Sequence, residues 1–305
     1  MVNRRELLKS AAGGTLALWA GSRLSAQPQG VSQVADGLYL IDSGEGANVT
    51  ALLTADGFVL VDSGIEGSLD KVNAALKSLS PNAKVGTLFN THYHLDQTAN
   101  NPAFAGQGAK IIAHRRTQQW MSQKYWIPEE QRWEKARPKA AVPTEIFDRT
   151  GSVNIGGDQI DYGYLLMAHT SGDMYVHFKG PNVIAVGDVA SPVRDPALDW
   201  FTGGWVGGRA DSMDLLLSIS DDRTRFIPAY GPLMTRAEFQ AERDMMEEVR
   251  KRIFDRVRAG EGPEDMLKGG ALADLPRTWK DPAKFLYAAA KGGWAYHDKL
   301  GFNVV

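Results

Sequence analysis

A fold that mixes α and β elements in two blocks is predicted by three features of this chain. Short apolar runs rich in strand-forming residues recur, segments with helical periodicity lie between them, and a turn dipeptide joins two of the runs. In the first block, Leu38-Tyr39-Leu40-Ile41, Thr50-Ala51-Leu52-Leu53 and Phe58-Val59-Leu60-Val61 read as strands, with Asp56-Gly57 as the hairpin turn between the last two. Val72, Ala75, Leu76 and Leu79 recur at helical spacing, which predicts an amphipathic helix over 68–79. Val85 to Asn90 returns to strand character, and Ile111-Ile112-Ala113 is a further apolar run. After His114 the chain becomes polar and aromatic through Trp120, Tyr125, Trp126 and Trp133, with Pro128, Pro138 and Pro143 interspersed. That composition predicts a helical or irregular insertion.

The second block begins near Ile146. Tyr164-Leu165-Leu166-Met167, Met174-Tyr175-Val176-His177-Phe178 and Val183-Ile184-Ala185-Val186 are its strand candidates, and Arg225-Phe226-Ile227-Pro228 follows later. Thr235-Arg236-Ala237-Glu238 is a capping box, which predicts a long helix running to about Arg258 and a helical extension over about 235–305.

Composition bounds the organisation. With 305 residues, 43% of them hydrophobic and 23% charged, the chain can bury the core of one large domain and is not of disordered type. Neither an internal repeat nor a long Pro/Ser-rich linker divides residues 27–305. The chain has 0 cysteines, so disulfides, thiolate ligands and a cysteine nucleophile are all excluded.

Residues 1–26 stand apart. Asn3-Arg4-Arg5-Glu6-Leu7-Leu8-Lys9 resembles the twin-arginine export signal; a glycine-diluted apolar stretch from Ala11 to Ala20 and a small-residue exit at Ala26 follow it. The stretch is too short to span a bilayer, and nothing later is apolar enough to anchor the mature chain. These features predict export through the twin-arginine translocase to the periplasm. Cleavage after Ala26 leaves 30 basic and 35 acidic residues, a net charge of −5 with no basic run, which gives no support to nucleic-acid binding.

The chemistry lies in Thr91-His92-Tyr93-His94-Leu95-Asp96-Gln97-Thr98. In an extended backbone, residues i, i+2 and i+4 project to one side, so His92, His94 and Asp96 would share a face. Two neutral imidazoles can grip a divalent ion, and a carboxylate beside them can take a proton or hold a second ion. By itself the run also suits a surface loop with chance histidines. Further stations follow in order: His169 opens His169-Thr170-Ser171-Gly172-Asp173, Asp188 ends Val186-Gly187-Asp188, and Tyr230 sits in Pro228-Ala229-Tyr230-Gly231. Upstream, Val59-Leu60-Val61 runs into Asp62-Ser63-Gly64.

This ordered series, from about Val34 to Leu233, resembles the metallo-β-lactamase superfamily, whose hydrolases carry an HxHxDH motif, a later histidine before TxGD, a bridging aspartate after a strand, and a final histidine. The resemblance implies an α+β fold, an αββα sandwich of two face-to-face mixed sheets with outer helices. It implies a metal site at His92, His94 and His169, with Asp96 and Asp188 as the second-site and bridging carboxylates. Two positions depart from the pattern: Gln97 stands where a histidine is usual, and Tyr230 replaces the last histidine. Three imidazoles with an open position suit a catalytic zinc. The oxygen-rich remainder, with a phenol whose ordinary pKa is about 10, would hold a second ion weakly or not at all and suits manganese, iron or magnesium better than zinc.

The resulting expectation is an exported hydrolase acting on a small molecule: a lactam, lactone, thioester or phosphoester. Asp96 would orient a water or take its proton, and Tyr230 would donate a hydrogen bond to a developing oxyanion. A mononuclear iron oxidoreductase resembling persulfide dioxygenases is the alternative, with His92 or His94, His169 and Asp188 as ligands, and a member that binds without turnover is a third reading. Asp62 is expected to hold the metal loops by hydrogen bonds, and His114, His177 and His297 to have no metal role. Trp200, Phe201 and Trp205 either wall the substrate cleft or pack in the core. Arg194 and Arg209 flank that loop, placed to meet an anionic substrate or simply solvated.

Overall fold

Every residue of Phe58-Val59-Leu60-Val61 is apolar, yet the pleat sends them to two different cores: Phe58 and Leu60 to one, Val59 and Val61 to another. Val183 to Val186 does the same, with Ile184 and Val186 facing one core and Val183 and Ala185 the other. A strand buried on both faces belongs to the inside of a layered fold.

A computed structural model describes residues 30–302, with no side-chain placement from 296 onward. The expected export signal and the His297 side chain lie outside the described residues. The chain begins with β1 (Val31–Ala35), β2 (Leu38–Gly44), β3 (Ala47–Thr54), β4 (Gly57–Val61), α1 (Leu69–Leu79) and β5 (Val85–Phe89). Short helices α2 (Leu95–Thr98) and α3 (Asn101–Gly106) lead to β6 (Lys110–His114), α4 (Arg115–Ser122), β7 (Tyr125–Ile127), β8 (Arg132–Glu134) and β9 (Glu145–Phe147). Then come β10 (Thr150–Ile155), β11 (Asp158–Tyr164), β12 (Met174–Phe178), β13 (Val183–Gly187), α5 (Val206–Ser218), β14 (Arg225–Pro228) and β15 (Met234–Thr235). Three helices close the chain: α6 (Arg236–Arg258), α7 (Pro263–Lys268) and α8 (Pro282–Phe302).

Two mixed sheets result, ordered β1-β2-β3-β4-β5-β6-β9 and β10-β11-β12-β13-β14-β15. Their facing sides share one core, in which Leu52, Val59 and Phe89 meet Val176, Ala185 and Ile227. The outer side of the first sheet packs on Val72, Ala75 and Leu76 of α1 and Phe104 of α3; that of the second packs on α5, α6 and α8. The order of layers is αββα, as the resemblance implies. In the capping box that opens α6, Glu238 N donates to Thr235 Oγ1 at 3.2 Å and Thr235 N donates to Glu238 Oε2 at 2.7 Å.

Three local expectations need correction. The β3–β4 register pairs Thr54 with Gly57, so the two-residue loop is Ala55-Asp56, one residue earlier than expected. Ile146 lies in β9, the far edge of the first sheet, and the second sheet starts at Thr150. Its first hairpin, β10–β11, is only half-buried and alternates with few apolar residues, so its strand character is weak in the sequence. Tyr164-Leu165-Leu166-Met167 is a strand only at Tyr164, because Met167 takes a left-handed φ of 51° and turns the chain toward His169.

Parallel pairing of β4 with β5 and of β13 with β14 brings their carboxyl ends together at one edge of the sandwich. Asp62, His92, Asp188 and Tyr230 all follow those ends.

Candidate metal centre

The first half of the site is built outward from Asp62. Its carboxylate accepts the Thr91 backbone N–H and the Thr91 hydroxyl, both at 2.8 Å, and fixes the chain just past β5. With its proton given to Asp62, Thr91 Oγ1 accepts from His92 Nδ1 at 3.0 Å. His92 Nε2 is therefore a lone pair, and it is buried without a hydrogen-bond partner.

The other two imidazoles are set in the same way. His169 Nδ1 donates to Ala197 O at 2.9 Å, and His94 Nε2 donates to Asp199 Oδ2 at 3.1 Å. Their inward atoms, His169 Nε2 and His94 Nδ1, lie 3.0 Å apart. The ligand atoms of His92, His94 and His169 all fall within 4.8 Å of one another. Three lone pairs aimed at one point repel unless a cation lies among them, so the donor set fits a divalent ion.

Electrostatics agree for two of the three. Burial and the neighbouring imidazoles push His92 well below its ordinary pKa, and burial brings His169 down to about 4, which keeps both neutral, the form that can bind a metal ion. His94 differs: burial opposes its charge, but the hydrogen bond and charge of Asp199 outweigh that and raise it.

Sequence local to each station explains its placement. The His92-to-Asp96 run is not a strand: β5 ends at Phe89, His94 is the N-cap of α2, and Asp96 enters the site from the first turn of that helix. In the His169 turn, Asp173 Oδ2 accepts the backbone N–H of His169 and of Thr170, each at 2.7 Å, and Asp173 Oδ1 takes the Thr170 hydroxyl. Gly172 is required because a Cβ there would stand 2.6 Å from Thr117 N. Gly187, with φ +57°, ends β13 where a Cβ would stand 2.8 Å from the Thr91 side chain; only glycine brings Asp188 this close to His92.

The second half of the site is arranged differently. Asp188 Oδ2 lies 3.7 Å from His92 Nε2 and 3.8 Å from His169 Nε2, while Oδ1 accepts from Arg194 Nη2 at 2.7 Å. Burial would raise the Asp188 pKa, but with His92 and His169 neutral it is the charge and hydrogen bond of Arg194 that hold it below the ordinary carboxylate value. Tyr230 donates its hydroxyl to Asp96 Oδ2 at 2.6 Å, and the Arg194 guanidinium carbon sits 3.3 Å from the centre of the Tyr230 ring. Burial and the Asp96 carboxylate push the Tyr230 hydroxyl above its ordinary range, so it is a phenol and not a phenolate. Gln97 is fully buried, and neither amide atom has a hydrogen-bond partner.

A cleft of about 750 Å³ opens over both halves, reaching His94, Asp96, His169, Asp188 and Arg194. The insertion after His114 supplies one wall through Tyr125 and Ile127, and α8 supplies another through Phe285 and Tyr287. The aromatic loop divides: Phe201 lines the cleft, Trp200 packs against Phe201 and Tyr287, and Trp205 is core, packed on Phe254.

Arg209 does not face a substrate. It is wholly buried, donating from Nη1 to Asp188 O at 2.7 Å and from Nη2 to Ser191 Oγ at 2.8 Å, with Glu242 3.6 Å away. His114 spends both ring nitrogens on backbone, at Asp148 O and Arg116 N, and stacks on Tyr164. Sequence reasoning missed Asp199, which also accepts the Tyr93 hydroxyl. No spacing signals it, since 105 residues separate it from His94.

Comparison with known proteins agrees with this fold. Residues 37–229 match the family model of the metallo-beta-lactamase superfamily. A curated relative, the 2,4-dinitroanisole O-demethylase subunit alpha of Nocardioides sp. (strain JS1661), is 23% identical over 199 residues, 64% of this chain and 55% of the relative; the chain thus spans about half of that protein's length. Among solved structures, a metallo-beta-lactamase from Pontibacter korlensis is similar at TM-score 0.59 and 15% identity, over 71% of this chain and 98% of that one. A stereoselective inverting sec-alkylsulfatase from Pseudomonas sp. is similar at TM-score 0.62 and 16% identity, over 90% of this chain and 50% of that one. By motif order, sheet topology and family model, the chain belongs to the metallo-β-lactamase superfamily.

Proposed function

We propose that this protein is a hydrolase with one catalytic metal ion, zinc in the first instance, acting on a carbonyl or phosphoryl centre of a small molecule in the periplasm. The observation that carries the reading is the anchoring of all three imidazoles. Each distal nitrogen has its own partner, so each proximal nitrogen is committed to a common point.

A divalent ion bound there supplies Lewis acidity, polarising the substrate oxygen and acidifying water. The rest falls to the chain. Asp96 lines the cleft with one oxygen engaged by Tyr230; its other oxygen orients a water and accepts its proton. Tyr230, expected from the sequence to donate to a developing oxyanion, instead spends its O–H on Asp96 and keeps that carboxylate aimed. Tyr93 and His94 brace the opposite side through Asp199. The aromatic walls exclude bulk water from the reacting atoms.

The test is metal content after dialysis together with turnover on ester, lactone, lactam and phosphoester panels. Because the curated relative is named for O-demethylation of 2,4-dinitroanisole, that aryl methyl ether belongs on the panel. About one zinc per chain, lost in His92→Ala, is expected, with Asp96→Asn retaining the ion and losing about 10²–10⁴ in kcat. Retention of zinc by His92→Ala would sink the reading.

One observation favours a second reading, an iron oxidoreductase: Asp188 Oδ2 faces His92 and His169 as the carboxylate of a two-histidine, one-carboxylate set. Iron in place of zinc, with oxygen uptake on a persulfide, would select it.

A further inference from the structure

Two carboxylates brought together at the edge of a buried site need a positive charge between them, and either a metal ion or a guanidinium can supply it. Asp96 and Asp188 are such a pair: both line the cleft and surround Arg194, and Asp96 is bound to the phenol of Tyr230. In this protein Arg194 reaches into that cluster. Its Nη2 holds Asp188 Oδ1 at 2.7 Å, and its guanidinium carbon sits over the Tyr230 ring, 3.3 Å from the ring centre. Beneath it, the Tyr230 hydroxyl is bound to Asp96 at 2.6 Å. The backbone is pinned as well: Arg194 O accepts from Arg277 Nη1 at 2.6 Å.

We propose that Arg194 is the resident second cation of this site, occupying the space between Asp188 and Tyr230 that a second metal ion would need and making the centre mononuclear. The proposal rests on the first half of the site holding an ion. Three features support it. The guanidinium covers the ring face of the residue that stands in the final-histidine position and holds Asp188 Oδ1, so an ion taking that oxygen must displace it. Arginine does not lose its proton in proteins, so the occupant does not vacate by titration. The phenol of Tyr230 is a poor donor for zinc and its proton is already given to Asp96, so it does not compete for the ion. With its side chain about one-third exposed to the cleft, Arg194 keeps further N–H donors for a substrate oxygen.

The test counts ions. Full-length wild type, Tyr230→His and Arg194→Met/Tyr230→His are dialysed against excess zinc chloride, then gel-filtered and analysed for metal. One zinc per chain is expected in wild type and in Tyr230→His, since restoring the imidazole alone leaves the guanidinium in place. Two are expected in the double variant. Two zinc ions in wild type or in Tyr230→His overturn the proposal, as does one in the double variant when its far-UV circular dichroism and thermal unfolding match wild type. Should the methionine variant fail to fold, Arg194→Gln/Tyr230→His is measured in its place with the same criteria. An absence of zinc from wild type would overturn the metal reading as a whole, an outcome distinct from a second ion appearing where Arg194 should exclude it.

Discussion

The two halves of the site face each other across the cleft floor and solve opposite problems. In the first, His92, His94 and His169 have their outer nitrogens anchored to Thr91, Asp199 and Ala197 O, so the inner nitrogens are left to converge. In the second, Asp188 is paired with Arg194 and Asp96 with Tyr230, so the polar groups satisfy one another. The comparison teaches that burial and charge do not by themselves mark a metal site. What marks it is whether the hydrogen bonds point the donor atoms outward or inward. His114 makes the same point from outside: it is buried like His92 and His169, but backbone groups occupy both its nitrogens.

The most severe way to break this arrangement acts on what the halves share. Arg209 holds the backbone carbonyl of Asp188, and its Nη1 also lies 3.4 Å from Ala197 O, the acceptor for His169. Arg209→Met strips those carbonyls and Ser191 of a buried donor and leaves Glu242 with Arg277 as its remaining cation. A loss of about 3–5 kcal/mol in denaturant unfolding is expected, because buried acceptors at Asp188 O and Ser191 Oγ lose a charged donor and Glu242 loses one of its two cations. A loss under ~1 kcal/mol would show that the two halves stand independently of this strut.

A smaller effect separates the halves. Asp199→Asn keeps the shape but removes the carboxylate that orients His94, so metal affinity should fall about 10–100-fold while the fold is retained. Competition with a chromophoric chelator would read the change. The same measurement on Asp96→Asn should show little change if Asp96 belongs to the second half and does not support the first. Equal losses in both variants would erase the distinction drawn between the halves.

Legibility in the sequence followed the same line. The mixed α and β character could be read because strands buried on both faces are continuous apolar runs, as at Phe58 to Val61, and because the capping box at Thr235 is local, whereas the order of layers came only from the family resemblance. Hairpin β10–β11 could not, since its strands are half-exposed and carry few apolar residues. His92, His94 and His169 were visible through their neighbours in the chain. Asp199 was not, because it joins His94 only through the tertiary fold, from a loop with no spacing of its own. Arg209 was misjudged because a charged residue beside a glycine-rich loop looks solvated. Its burial becomes evident only once α5 places it under the Asp188 and Ala197 carbonyls.

Gln97 gives the smallest and sharpest contrast. His92 Nε2 and the Gln97 amide are both buried polar groups without a hydrogen-bond partner, yet they mean different things. His92 Nε2 has two companions within 4.8 Å and so forms a donor set, whereas the Gln97 amide is not part of such a set. A lone buried amide costs the fold its desolvation, about 1–3 kcal/mol. Gln97→Met nearly preserves the volume and removes the amide, so the denaturation midpoint should rise by the equivalent of about 1 kcal/mol with metal content unchanged. A comparable fall instead would show that the amide is held by a group in the second half, and that half would then be richer in polar contacts than Asp96, Asp188, Tyr230 and Arg194 alone.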